Sequence, residues 1–531
     1  MTSKSSSLPG RFTAPSFGAL GATSPSRRTI LLGSASIIGL AVTGCQKATD
    51  VSREQAGSSS LVIGQVGDVL VSSPVTNTGN NASWLGLVLE SMAVQDAVTR
   101  KLAPALAASW TTDSSGKVLT FTIRDGVTWH SGRAFGPEDV VYTFKALADG
   151  KTYTRPFPQA WFLKTITDMK VSGNTLTITL KAPIAGALET MAQFAILDKD
   201  TADGFDKGTA LIGTGPFKVQ SHTSGASLKL AKNDKYWKAG YPLLTAVTVS
   251  IFDRTDSLLA ALKTGQIQMT GSLAPRDAAT LNGQNGLTIT TLKGEGQGIY
   301  LGASQSSKPL QDVKVRQAIA TAVDRHRIVT DIYQGGATAS CAPWLDVAPA
   351  YSAETRDFYS YDPQKAKSLL AASSYAGEEI IYEISGAKPI FANIAQIVQR
   401  NLQDIGLKVK LSILQSAEND QRFQKTSFQG LYTAGDGNND SYPPFLIRGS
   451  RAWSADNNLW KFESDELTKL ADAALSAQGD QIVATGDAYT RYCLEQAVCT
   501  ELVLTQSQTT TSGLKNFTHH NGQLDLTEAS F

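Results

Sequence analysis

Two lobes of α/β type, one carrying a strand-rich insertion, are the fold this sequence predicts. Three observations lead there. The chain has 531 residues, 42% hydrophobic, and single cores stop growing near ~250–300 residues. The first half is rich in hairpin signals. The second half alternates helix and strand patterns at the spacing of crossover units, which build mixed or parallel sheets.

The folded body is expected to begin near Leu61, where LVIGQV (Leu61–Val66) reads as a short apolar strand. GLVLESMAVQD (Gly86–Asp96) reads as a helix or extended turn. In KVLTFTIRDGVTW, Val118, Phe121, Ile123 and Val127 suggest strands, with Gly126 at a turn. FGPEDVVYTFKAL opens a helix: Pro137 suits the first helical position, and Glu138 and Asp139 complement the positive end of the dipole. MKVSGNTLTITL is a hairpin turning at Ser172-Gly173-Asn174.

Later, QDVKVRQAIATAVDRHRIV has helical spacing and places Arg316 and Asp324 on one helix, with structural roles. In YDPQKAKSLLAAS, Asp362 is the N-cap, Pro363 opens the helix, and Ala366, Leu369 and Leu370 share a face. IFANIAQIVQRNLQDIGLKVKLSIL is a helix stopped at Gly406. A strand follows with Leu407, Val409, Leu411 and Ile413 in alternation. No internal repeat stands out.

The start of the chain reads differently. Residues 1–25 are rich in Ser, Gly and Pro and have no helical period, as disordered segments do. Arg27-Arg28 then precede the apolar run Ile30–Val42, which is shorter than the ~20 residues a membrane-spanning helix needs. Small residues and Cys45 follow. Basic, apolar and small-residue parts in that order make an export signal. SRR resembles a twin-arginine address, with the general export route as the alternative. VTGC resembles a bacterial lipobox, in which the Cys45 thiol is acylated; two acyl chains give stable anchoring. Residues 46–60 are polar, as a flexible tether is.

Charge is balanced, 48 basic against 47 acidic residues, which argues against a nucleic-acid partner. There is no Walker loop; GTGPFKV (Gly213–Val219) lacks the Gly-Lys-Ser/Thr ending. Gly-x-Ser-x-Gly, His-Glu-x-x-His and Cys-x-x-Cys are also missing. His519-His520 reads as surface loop and His130 as a structural hydrogen-bonding residue. The remaining thiols are Cys341, Cys493 and Cys499, which allow at most one internal bridge. A continuous helix would set Cys493 and Cys499 ~9 Å apart along its axis, so they pair only if the helix ends between them. No catalytic residue, metal ligand or cofactor is assigned. Binding is the class that remains.

Several segments together resemble the family 5 extracellular solute-binding proteins, the oligopeptide-, dipeptide- and nickel-type binding components of ABC importers. LAPALAASWTTDSSGKVLTFTIRDGVTWHSGRAFGPEDVVYTF (Leu102–Phe144) looks like the family's signature segment. LIGTGPFKV, NDKYW (Asn233–Trp237), LKTGQIQM (Leu262–Met269), QDVKVRQAIATAVDR, YDPQKAKSLL and NLQDIGLKVKL follow in the family's order. Two positions depart from the pattern: Gly136, where Thr or Ser is usual, and Gln268, near which an acid is usual. Trp110, Trp129 and Trp237 are expected in the core.

The resemblance implies a two-lobed periplasmic-binding-protein-like fold, large and of class II, with an inserted third subdomain. After an export signal with lipobox (1–45) and a tether (46–60), lobe I would comprise 61–92, 190–302 and 505–531. The insertion would be 93–189 and lobe II 303–504. A small, peptide-like solute would be enclosed between the lobes by a monomer and delivered to ABC permease subunits. The bilayer would hold the protein through acylated Cys45 at the outer face of the cytoplasmic membrane. A metal chelate, an opine or an oligosaccharide is the alternative solute, and an extracellular hydrolase the remote alternative.

The resemblance also implies where the solute sits. In peptide-binding relatives a carboxylate in the loop corresponding to LYTAGDGNNDSYPPFL (Leu431–Leu446) pairs with the ligand's ammonium. Asp436 aligns best with it and Asp440 second. Tyr432, Tyr442, Trp453 and Trp460 flank this region as candidate walls, and Arg451 is a candidate partner for a ligand carboxylate.

Overall fold

The computed structural model describes residues 59–76, 78–149, 160–271, 273, 275–437, 442–520 and 522–531. Cys45, with the whole export signal and most of the tether, and Asp440 lie outside the described residues.

One eleven-stranded sheet runs through the molecule. Its order is Lys408–Leu414, Glu379–Ser385, Leu431–Asp436, Leu287–Ala303, Cys499–Ser512, Met269–Thr270, Ser60–Val66, Ala246–Phe252, Ser227–Lys232 and Phe217–Thr223; Ala337–Ala339 pairs off Cys499–Ser512. The crossover reading of the second half holds: Glu379–Ser385 pairs parallel with Lys408–Leu414 and with Leu431–Asp436. Helix Pro389–Asp404 makes the first of these connections. It buries Phe391, Ile394, Val398 and Leu402 against the sheet, each adding ~1.5–3 kcal/mol of apolar burial. Gly406, at φ +101°, ends it as expected.

A separate four-stranded antiparallel sheet has the order Ala107–Thr112, Val118–Ile123, Thr175–Leu180, Ile166–Ser172. The hairpin at Ser172-Gly173-Asn174 is present. The buried phase of Val118–Ile123 begins one residue later than the sequence suggests. Leu119, Phe121 and Ile123 face inward and Val118 lies on the other face.

Two large cores result. One gathers residues from Leu61 to Met269 with Leu514, Leu524, Leu526 and Ala529 of the C-terminal segment, and takes in the small sheet. The other runs from Ile299 to Val503. The long strands Leu287–Ala303 and Cys499–Ser512 form the ribbon between them. Their register is broken at 292–295, which lie opposite Ser507 alone.

Local chemistry explains the motifs. Pro137 opens helix Pro137–Asp149, and Asp139 reaches back to accept from the Gly136 N–H at 3.1 Å. That is half of a capping box and needs no side chain at Gly136. Asp139 also accepts from Arg133 and from Trp129 Nε1, and Arg133 reaches Asp198. The carboxamide of Gln268 donates to Gly265 O and accepts from Val62 N, a two-sided link an ionised acid cannot make. In GTGPFKV, a Cβ on Gly213 would fall 1.8 Å from Val88 O, and one on Gly215 2.6 Å from Leu87 O. The glycines admit this close backbone approach. His130 clamps the same loop: Gly213 N donates to its Nδ1 and its Nε2 meets Gly215 O at 3.0 Å. Burial pushes its pKa down to about 4, so the ring is neutral.

The single helix expected within Gln311–Val329 is two, Val313–Ala322 and Arg325–Asp331. Val323 is extended, and Asp324 caps the second helix through the Arg327 N–H at 2.9 Å. Arg316 and Arg325 are buried and donate to backbone carbonyls, Arg316 to Gln496 O and Leu310 O and Arg325 to Glu501 O and Ala320 O. Helix Gln481–Gln496 does end before Cys499, yet Cys341, Cys493 and Cys499 are all free, buried thiols. Trp129 is buried; Trp110 and Trp237 pack at the margin of the first core.

Candidate functional site

Asp436 ends strand Leu431–Asp436, so its neighbourhood is set by the centre of the sheet, where Gly298 is its register partner. What looked like loop from Leu431 is therefore strand as far as Asp436. Its carboxylate accepts from the Ser450 hydroxyl, and the Gly437 N–H lies beside it. No Lys, Arg or His among the described residues pairs with it. Burial outweighs the hydrogen bonds and lifts its pKa to about 6. Glu501 lies close by: Trp453 Nε1 donates to Oε1 at 3.0 Å, and Oε2 has no partner. Burial and the nearby Asp436 push Glu501 far up. Asp436, at about 6, is mostly ionised at neutral pH.

The remaining sequence candidates are spread around this acid. Tyr432, Trp453 and Trp460 are buried in the second core. Tyr432 stacks on Phe428 with centroids 3.7 Å apart and donates to Asn419 Oδ1. Trp460 Nε1 donates to Ala452 O. Arg451 is spent on the protein, donating to Phe423 O and Thr426 Oγ1 and lying over the Phe423 ring. Tyr442 reaches the other core: its hydroxyl donates to Glu189 at 3.2 Å and its ring covers Gly186.

A cavity of about 670 Å³ lies against the first core. Small and apolar residues, among them Leu85, Val94, Ala103 and Ala195, make much of its wall, and Glu90, Trp237, Lys238, His520, Gln523 and Asp525 supply polarity. Gly437 lines it too, which brings the residue next to Asp436 into the wall. Of the sequence candidates among the described residues, none lines the cavity itself. The Glu90 carboxylate accepts from Tyr236 Oη at 2.8 Å and Trp237 Nε1 at 3.0 Å, and burial raises its pKa to about 7. Arg124 lies 4.2 Å over the Trp237 ring. Lys238 pairs with Glu528, and His520 faces Asp525.

Sequence reasoning missed Glu90, Tyr236 and Gln523. One signal was available for Glu90: an acid inside the apolar run LGLVLESM, where an unpaired charge rarely stays buried. Among the described residues no group of three or more His, Cys, Asp or Glu is placed to hold a metal ion, and no helix is long and apolar enough to cross a membrane.

Comparisons with known proteins agree with this architecture. The profile of the bacterial extracellular solute-binding proteins, family 5 (middle region), matches residues 101–456. Heme-binding protein A of Haemophilus influenzae is 27% identical over 415 residues, 70% of this chain and 73% of that protein. The dipeptide-binding protein of Escherichia coli K12 is 30% identical over 343 residues, 59% of this chain and 63% of the relative, so less than two thirds of the latter is spanned. Among solved structures, the ABC transporter-associated periplasmic binding protein DppA of Helicobacter pylori, in complex with the peptide STSA, superposes with a TM-score of 0.75 at 21% identity. That match covers 89% of this chain and 98% of DppA, and it shows the shared two-lobed α/β fold. With its profile match spanning more than half of the sequence, the chain belongs to the bacterial extracellular solute-binding proteins of family 5.

Proposed function

We propose that this protein is the extracytoplasmic substrate-binding component of an ABC importer and that it captures a peptide-like solute bearing a free ammonium. One observation carries the reading. Asp436 is a half-buried acid that ionises near neutral pH, pairs with no cation among the described residues, and sits next to a residue lining the 670 Å³ cavity. A ligand ammonium supplies the missing charge, and an unpaired buried carboxylate is costly enough to make that pairing selective. The dipeptide-binding relative and the peptide held by DppA support the same solute class.

In this reading the solute lies between lobe I (61–92, 190–302, 505–531) with its inserted subdomain (93–189) and lobe II (303–504). Closure about the Leu287–Ala303 and Cys499–Ser512 ribbon traps it. The ligand favours the closed form through contacts it makes only there. Twin-arginine export, acylation of Cys45 and the tether 46–60 would keep a monomer beside its permease at the outer face of the membrane. A Cys45→Ser form recovered from the medium rather than the membrane supports the anchor; unchanged membrane retention refutes it.

Native mass spectrometry of the freshly purified protein, followed by thermal shift with di- and tripeptides, haem, nickel–histidine, opines and sugars, tests the solute class. A bound ligand raises stability by mass action. Peptides are expected to raise the melting temperature. A shift by a chelate or sugar with none by any peptide overturns the peptide reading.

A further inference from the structure

We infer that Ser450 is a positioning residue for the solute ammonium: its hydroxyl, locked by two backbone amides, holds one oxygen of Asp436 and leaves the other for the ligand. This rests on the Asp436 reading above and adds the residue that orients the carboxylate. The geometry is specific. Ser450 follows the π-helical turn Phe445–Gly449 and is buried. Its Oγ accepts from Ala452 N at 3.1 Å and Trp453 N at 3.2 Å. A hydroxyl has two acceptor sites and one proton. With both acceptor sites filled, the proton points at Asp436 Oδ2, and that hydrogen bond is present. No other side chain among the described residues takes the carboxylate.

The consequence reaches the ligand. A hydrogen bond donated to an ionised carboxylate favours the charged form and fixes its plane. Beside it, the backbone N–H of Gly437 acts in the same direction, and Ser450 is the only side chain among the described residues that does. The titratable groups facing Asp436 are Tyr300 on strand Leu287–Ala303 and Cys499 and Glu501 on strand Cys499–Ser512, and burial pushes the pKa of all three up, toward the neutral form. Without the Ser450 hydroxyl, Asp436 would hold its proton to higher pH, with only the Gly437 N–H left to orient it.

The test is calorimetric binding of trialanine and N-acetyl-trialanine between pH 5 and 8, to the wild type, Asp436→Asn, Ser450→Ala and Ser450→Thr. Trialanine should bind more tightly than its acetylated form, and Asp436→Asn should erase that preference. Failure at this step overturns the ammonium reading and the Ser450 inference with it. Given that preference, Ser450→Ala should weaken trialanine at pH 7 about tenfold, the scale of a hydrogen bond to a charged group. It should also move the acid limb of binding up by about one pH unit, and Ser450→Thr should restore both. An unmoved limb, with only the melting temperature lowered, overturns the inference and leaves Ser450 a turn residue. Should Ser450→Ala fail to fold, Ser450→Cys, a weaker donor, should shift the limb the same way by less; no shift there also overturns it.

Discussion

Asp436 and Glu90 are acids that the fold largely removes from water and that pair with no cation among the described residues, and their titration separates binding from stability. At pH 7 Asp436, with a pKa of about 6, is mostly ionised. Below pH 6 a proton competes with the ligand's ammonium. We expect the affinity for an amino-bearing peptide to fall about tenfold per pH unit below 6, as one-proton linkage requires, and to be flat above 7. Titration calorimetry across pH reads this directly, and a pH-independent affinity would remove Asp436 from the site. Glu90, raised to about 7 from 4.5 by burial, contributes stability that is fully present below pH 4.5 and lost as pH rises through 7. Glu90→Gln keeps an acceptor for Tyr236 and Trp237 but cannot ionise. Its melting temperature should exceed the wild type's by a few degrees at pH 8 and match it at pH 5. A loss at both values would mean the carboxylate itself is needed for packing.

Elements divide by how local their signals are. The helix Pro389–Asp404, its glycine stop and the parallel pairing that follows were legible because a 3.6-residue period, a C-terminal glycine and a strand alternation are written in adjacent residues. The same alternation misled at Ile413, which is 61% exposed on the edge strand Lys408–Leu414. A strand's period says which residues share a face, and the sheet order decides whether that face is covered. Ile394→Ala, at a fully buried position, should therefore cost ~2–5 kcal/mol, whereas Ile413→Ala should fall within about 0.5 kcal/mol of the wild type. Urea unfolding of the two variants measures both. Similar costs would mean the edge strand is covered in solution. The break at Val323-Asp324 was missed for a related reason: Asp324 is a good N-cap, yet the helical spacing continues across it in sequence.

At the scale of the molecule the two cores meet where Tyr442 lies over Gly186, with the Ala185 N–H donating to Leu475 O at 2.9 Å. Gly186 has φ +66°, and a Cβ there would fall 2.6 Å from Tyr442 Cγ. A side chain is thus excluded twice, by conformation and by contact. Gly186→Ala should push the cores apart, enlarging the radius of gyration in small-angle scattering and weakening solute binding. Tyr442→Phe, which loses only the bond to Glu189, should change both much less. An unchanged radius in Gly186→Ala would show that the contact does not hold the cores together.

The sequence by itself determined the two-lobed α/β class, the hairpin and crossover units, the capping and turn residues, and the family, because each rests on neighbours along the chain or on motifs in fixed order. It also pointed to Asp436, through a single aligned acid. Tertiary structure alone decided that no cation among the described residues pairs with Asp436 and that Ser450 reaches it. It decided, too, that Trp453, Trp460 and Tyr432 pack inside a core while Glu90, Tyr236 and Gln523 face a cavity. Those properties depend on which distant strands and loops share a volume, and burial, charge balance and contact are sums over that volume rather than over the sequence.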